Sequence, residues 1–188
     1  MASFTQLNQT QRQTLRQLAR EAISHELYQY VALSVDPSQY PPPLREDRAT
    51  FVTLQIDGKL RGCIGTLEAQ RPLVTDVARN AGAAAFSDPR FPRLTRSEFE
   101  PVDIHISLLS PAVPIDFESE SDLLGKIRPG EDGLTLTEKN HRGTFLPSVW
   151  EQIDDPKQFL QHLKLKAGLS ADYWSDSVQV SRYTTESF

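Results

Sequence analysis

Phe51-Val52-Thr53-Leu54-Gln55-Ile56-Asp57-Gly58-Lys59-Leu60-Arg61-Gly62-Cys63-Ile64-Gly65-Thr66 reads as a β-hairpin, and its register decides which side chains are buried. Val52, Leu54 and Ile56 alternate with polar residues in the period of a half-buried strand, and Asp57-Gly58 supplies the turn. A two-residue loop would pair Leu54 with Arg61 and Val52 with Cys63, mixing polar and apolar groups on each face. A three-residue loop with a bulge at Gly58 pairs Leu54 with Leu60 and Val52 with Gly62. The bulged register is the expected one, because it alone gives one buried face of Leu54, Leu60 and Ile64. It leaves Thr53, Arg61 and Cys63 on the other face.

Gly62 and Gly65 flank Cys63, and glycine weakens a strand unless the backbone bulges or another group approaches closely. Two readings of Cys63 are open: a nucleophile or ligand contact, or a small buried cysteine in a tight hairpin. Arg61, two residues earlier, would favour the thiolate and offers a clamp for a carboxylate or phosphate. Gly62, Gly65 and Thr66 join it as candidate binding residues.

Outward from the hairpin, Leu15, Leu18, Ala19, Ala22, Ile23, Leu27 and Tyr30 form a helical stripe within residues 11–30, suited to packing on one side of a sheet. Asp36-Pro37-Ser38 and Pro41-Pro42-Pro43 predict an extended loop. Pro72 to Phe86 predicts a second helix whose alanine-rich end permits close packing; Glu68, Asp76 and Asp88 are candidate carboxylates near the hairpin, Asp76 reading more simply as a first-turn charge favoured by the helix dipole. Asp88-Pro89-Arg90-Phe91 leaves that helix, since proline disfavours helix in the residue before it. Its carboxylate, guanidinium and ring either frame a small cleft or form a turn in which Asp88 caps backbone groups. Thr95 and Glu98 fit a capping box.

Val102 to Leu108 alternates cleanly, with His105 on the polar side. If this strand and the hairpin share a sheet, His105 and Cys63 would make a Cys–His pair of general-base type; the alternative is an exposed or hydrogen-bonded strand histidine. Beyond Pro111, residues 122–127 predict a short helix, and 134–136 and 144–146 the arms of a hairpin around Lys139-Asn140. Asp155-Pro156 opens a helix carrying Phe159, Leu160 and Leu163 that Gly168 ends. Val178 and Val180 mark the last expected strand. Hairpins mixed with irregular helices favour an α+β fold over a doubly wound sheet.

Composition narrows the functional classes. With 25 acidic against 20 basic side chains, the net charge is −5, which argues against a general nucleic-acid binder. One cysteine rules out an internal disulfide and any multi-cysteine metal site, and the histidines lack HxH or HxxxH spacing, so no metal site is expected. Residues 1–20 lack a secretory core and no apolar run is long enough to span a membrane, so the expected compartment is the cytoplasm. P-loop, GxGxxG, GxSxG and HExxH motifs are missing, which removes the common nucleotide, hydrolase and zinc-protease readings.

The segments LRGCIGT (60–66), PLVTDVARNAGAAAF (72–86), DPRFPRL (88–94), ISLLSP (106–111), DGLTL (132–136), GTFLPSVWEQ (143–152) and FLQHLKLKAGL (159–169) together resemble the AMMECR-type domain family. The likeness runs along nearly the whole chain. It implies a single AMMECR-type domain over 1–188, with an antiparallel sheet flanked by helices and a smaller β-containing lobe. In that resemblance the cysteine motif lines a cleft shared by the two lobes. It also implies a small pathway shared with Memo-like and radical-SAM proteins, in which the chain is a cleft enzyme or enzyme subunit using Cys63, Arg61 and His105. Asp88 and Arg90 would contribute to binding, and no cofactor is specified. A non-catalytic binding or adaptor module is the competing expectation, with a nucleic-acid adaptor third. His105 stands where the family pattern would carry a glutamate.

Overall fold

In the computed structural model, which describes residues 6–188, the described chain divides into two compact units, residues 6–110 with 186–188, and residues 111–185. In the first unit, α1 (Gln9–Gln29) opens with a reciprocal capping box. Asn8 Oδ1 accepts from the Gln11 N–H and Gln11 Oε1 from the Asn8 N–H, both at 2.9 Å. Of the stripe read from the sequence, Leu15, Leu18, Ala19, Ala22 and Ile23 are buried and Leu27 half-buried, while Tyr30, expected in it, is exposed because the helix has ended there. The helix stops at Tyr30, which takes a left-handed conformation.

The proline run does not stay extended. Pro41 is extended, but Pro42–Leu44 closes a 3₁₀ turn that buries Leu44. The φ that proline imposes suits a 3₁₀ turn as well as an extended chain, and burying Leu44 tips the choice.

β1 (Thr50–Ile56) and β2 (Lys59–Gly65) form the hairpin. The register corrects the expected one. Ile56 pairs with Lys59 and Gln55 with Leu60, so the loop is the two-residue Asp57-Gly58 turn, with φ of 50° and 72°. The bulge lies further on: Arg61 is the extra residue, after which Leu54 pairs with Gly62, Thr53 with Cys63 and Val52 with Ile64. A two-residue turn of this hand matches the strand twist, and the bulge at Arg61 then restores the buried face. Leu60, expected in that face, is 44% exposed.

β3 (Asp103–Leu109) pairs with the other side of β1, and β8 (Thr185–Ser187) closes a four-stranded sheet of order β2-β1-β3-β8. β8 follows the strand expected to be last. Three residues with no apolar alternation carry too weak a signal for a sequence reading. The helix α2 (Leu73–Phe86) packs with α1 against the face carrying Val52, Leu54 and Ile106. The opposite face carries Phe51, Thr53, Cys63 and His105. A one-turn helix, α3 (Arg96–Phe99), starts with the Thr95–Glu98 capping box.

The second unit contains β4 (Val113–Pro114), α4 (Glu120–Lys126), β5 (Gly133–Glu138), β6 (His141–Phe145), α5 (Pro156–Lys166) and β7 (Gln179–Tyr183), with sheet order β4-β7-β5-β6. Asp155 caps α5 by accepting from the Gln158 N–H at 2.8 Å, and Gly168 ends it at φ +82°. Trp150 stacks on Phe159 at 3.7 Å between ring centroids and donates its indole N–H to the Asp132 carbonyl. That anchors the core of Leu134, Leu136, Leu160 and Leu163.

Candidate functional site

β2 is an edge strand, and the 88–90 loop covers its edge at Cys63. The Cys63 N–H donates to Asp88 Oδ2 at 2.9 Å, and Arg90 Nη2 donates to the Cys63 carbonyl at 3.3 Å. Asp88 and Arg90 thus satisfy the backbone groups that a further strand would have taken. Arg90 also donates to Asp88 through its backbone N–H (3.0 Å), Nε (3.0 Å) and Nη2 (2.7 Å). These Arg90 bonds, with the Cys63 N–H, hold the buried Asp88 carboxyl well below its ordinary value of 3.8 against the opposing effect of burial. In return the hydrogen bonds to Asp88 raise the Arg90 guanidinium above its ordinary value. The Arg90 side chain is 54% exposed, so a cation stands at the surface beside the cysteine.

Arg61 is nine-tenths buried and turned elsewhere. Its Nε and Nη2 grip Glu98 as a fork at 2.8 and 3.1 Å, and Nη2 also donates to the Pro92 carbonyl at 3.0 Å. Arg61 and Arg90 both lie over the Phe91 ring, 5.8 and 5.5 Å from its centroid. The Arg61 fork, aided by the Thr95 N–H and hydroxyl, lowers the Glu98 pKa from 4.5 to about 2. Such a carboxylate adds stability that is fully present above about pH 4.5 and is lost as pH falls through 2. Glu98→Gln should therefore flatten the acid limb of the stability profile between those values, read as denaturant midpoint against pH. An unchanged acid limb would mean that Arg61 gains nothing from ionised Glu98.

Thr53 stands between Cys63 and His105, paired with Cys63 on one side and with His105 on the other. The three share one row on the face away from the helices. Thr53 Oγ1 donates to Cys63 Sγ at 3.2 Å. His105 is in the same sheet but two strands from Cys63, roughly 10 Å by the inter-strand spacing, so threonine, not histidine, touches the sulfur.

Below the row, Asp76 is a buried junction. Its Oδ2 accepts from the Thr50 N–H (3.0 Å), Thr50 Oγ1 (2.7 Å), Thr66 Oγ1 (2.8 Å) and Asn80 Nδ2 (2.9 Å). The Thr66 N–H also donates to the Thr50 carbonyl at 2.9 Å. Thr66 therefore ties the end of the cysteine strand to α2. The two glycines have packing reasons. A Cβ on Gly62 would lie 2.1 Å from the Ala84 carbonyl oxygen of α2, and one on Gly65 would lie 2.3 Å from the Phe51 ring. Among the described residues no cluster of three or more His, Cys, Asp or Glu side chains could hold a metal ion, and no helix is long and apolar enough to cross a membrane.

The family model AMMECR1 matches residues 16–188. The chain belongs to the AMMECR1 family. A protein of Methanothermobacter thermautotrophicus is 35% identical over 187 residues, covering 98% of this chain and 97% of that protein. One from Methanocaldococcus jannaschii is 37% identical over 153 residues, covering 79% and 76%. The crystal structure of an uncharacterized protein from Pyrococcus horikoshii superposes with a TM-score of 0.85 at 32% identity, over 93% of this chain and 88% of that one. The chain's α+β fold, with its two antiparallel sheets, is thus shared with a protein solved by crystallography.

One member of this site was beyond sequence reading: Thr53 is an ordinary strand threonine until the register sets it against Cys63. Asp76 was readable as a carboxylate near the hairpin, but its first-turn signal gives a sufficient account of it in one dimension. The Asp before Pro89 and the Arg that follows were readable as a pair, because a proline turn brings residues two apart together.

Proposed function

We propose that the AMMECR1 chain is an enzyme, or an enzyme subunit, that handles a small anionic compound at the Cys63 thiol. What carries this reading is the convergence on Cys63 of a hydroxyl donor to its sulfur, Thr53, and an exposed cation, Arg90. Cys63 is the nucleophile or covalent contact. Thr53 stabilises negative charge on sulfur by donating to it, and Arg90 holds the anionic group of the compound. Asp88 keeps Arg90 in place, Gly62, Gly65 and Thr66 shape the strand, and Arg61 acts through Glu98 to hold the bulge. His105, one strand beyond Thr53, faces the far end of a bound molecule rather than the thiol. The family resemblance adds the setting, a pathway shared with Memo-like and radical-SAM proteins, for which co-purification is the check.

The test uses the lone thiol itself. Iodoacetate is anionic and iodoacetamide neutral, so the ratio of their rates at Cys63 reports an anion-holding cation. Arg90→Gln should lower that ratio by about threefold to tenfold at low salt, the scale of a partly exposed charge contact, with the iodoacetamide rate little changed. Thr53→Val should slow both reagents together. A ratio indifferent to Arg90 would end the anion-site reading.

A further inference from the structure

In the second unit the ladder between β4 and β7 opens early. Val113 pairs with Arg182 and Pro114 with Ser181, and the Ile115 N–H still reaches the Val180 carbonyl at 2.8 Å. That bond is not returned, for the Val180 N–H has no acceptor among the described residues. Past Ile115 the chain swings away toward α4. There Lys126 donates to the Asp116 carbonyl at 2.8 Å, and the Glu118 N–H donates to Asp122 Oδ2 at 3.0 Å.

The planarity of trans peptides fixes which groups this opening leaves bare. The Val180 carbonyl faces β4, so its N–H does too, and Gln179, paired with Thr137, turns its own N–H and C=O to β5. The Val178 carbonyl is trans to the Gln179 N–H and therefore faces the opened edge, where no described residue donates to it. Val178 and Val180 are 5% and 2% exposed, and backbone groups so buried are seldom left without partners. An outward C=O and an outward N–H on either side of one residue are what a parallel strand uses to hold a single residue, through that residue's N–H and C=O.

A groove of about 420 Å³ leads to this pair, and Ile115, Asp116, Phe117, Asp176, Gln179 and Ser181 contribute to its lining. A residue held opposite Gln179 would put its side chain on the face of Gln179 and Ser181, where the groove carries the exposed carboxylates of Asp116 and Asp176. Neither carboxylate makes an ion pair among the described residues; the neighbouring Lys126 is engaged with Asp122.

We propose that this opening is a docking site for an extended segment of a partner protein that runs parallel to β7 and sets a lysine or arginine opposite Gln179. The Val178 carbonyl and the Val180 N–H recognise the backbone of that residue, and Asp116 and Asp176 select its cation. Ile115 holds the next position along β7, so the contact is one residue long and supplies register and charge selection to a wider interface. It is independent of the Cys63 chemistry.

The probes are the peptides acetyl-Thr-Lys-Thr-amide and acetyl-Thr-Gln-Thr-amide, titrated into the ¹⁵N-labelled chain. The lysine peptide should shift the Val180 amide and slow its hydrogen exchange. Its affinity should exceed that of the glutamine peptide by about threefold to tenfold at low salt, the scale of two exposed charge contacts. Replacing both exposed acids, Asp116→Asn with Asp176→Asn, should keep the Val180 response and erase most of that preference. A preference that survives the double substitution would overturn the role of the two acids, and equal response of the unaltered chain to both peptides would overturn cation selection altogether. If n-butylamine reproduced the Val180 shift, backbone recognition would give way to a bare cation contact. Silence at Val180 with about 10 mM peptide, where even a weak millimolar contact is largely occupied, would overturn the site.

Discussion

Gly62→Ala is expected to destabilise the fold by about 3 kcal/mol, at the upper end of overpacking costs. The new methyl would sit 2.1 Å from the Ala84 carbonyl oxygen, and that oxygen belongs to helix backbone. It cannot turn aside as a side chain can, so either α2 lifts from the sheet or β2 gives up its pairing with Leu54. For a chain of this length the change corresponds to a fall in Tm on the order of 10 °C. Gly65→Ala is the instructive contrast, since what it meets is the half-buried Phe51 ring, which can swing outward. Thermal and urea melts of the two variants check both statements. A Gly62→Ala midpoint within about a degree of wild type would mean that α2 and the cysteine strand slide past each other freely, against the rigidity of packed interiors.

Asp76→Ala should cost about 3–5 kcal/mol, because it removes the shared acceptor of a buried cluster. The Thr50 N–H and hydroxyl, the Thr66 hydroxyl and the Asn80 amide would all lose the oxygen they now share. Thr50, Asp76 and Asn80 are all buried, so water cannot replace it without opening the junction of β1, β2 and α2. Asp76→Asn keeps one acceptor oxygen and should recover part of the loss. The urea midpoint measures the size of the effect. Faster amide exchange at Thr50 and Thr66 would locate it, and would also show the Cys63 strand loosening at its far end. A substitution to alanine that leaves the midpoint unmoved would show that the cluster contributes nothing net.

Local chemistry made much of the fold legible. The Thr95–Glu98 capping box and the Asp155-Pro156 start depend on residues a few positions apart, whose signals survive in one dimension. The alternation in β1 and β3 was readable for the same reason. The bulge was recognised as necessary but expected at Gly58, because a glycine announces its conformational freedom. The residue left out of the pairing, Arg61, announces nothing. Its place depends on Glu98 and the Pro92 carbonyl, some thirty residues away in the chain.

The candidate site divides along the same line. From the sequence alone, the Leu60–Thr66 stretch stood out as the unusual segment, with Cys63 open between a nucleophile or ligand contact and a small buried cysteine, and Asp88-Pro89-Arg90 as a constrained carboxylate–guanidinium pair. Composition and local turn chemistry are enough for that. Only the tertiary structure decided which cation stands by the cysteine, which hydroxyl reaches its sulfur and how far off His105 lies. Those relations run across strands and from a loop to a sheet edge. Moving the bulge from Gly58 to Arg61 slides the pairing beyond it by two residues, which keeps the faces but changes every partner, so that Leu54 meets Gly62 instead of Leu60.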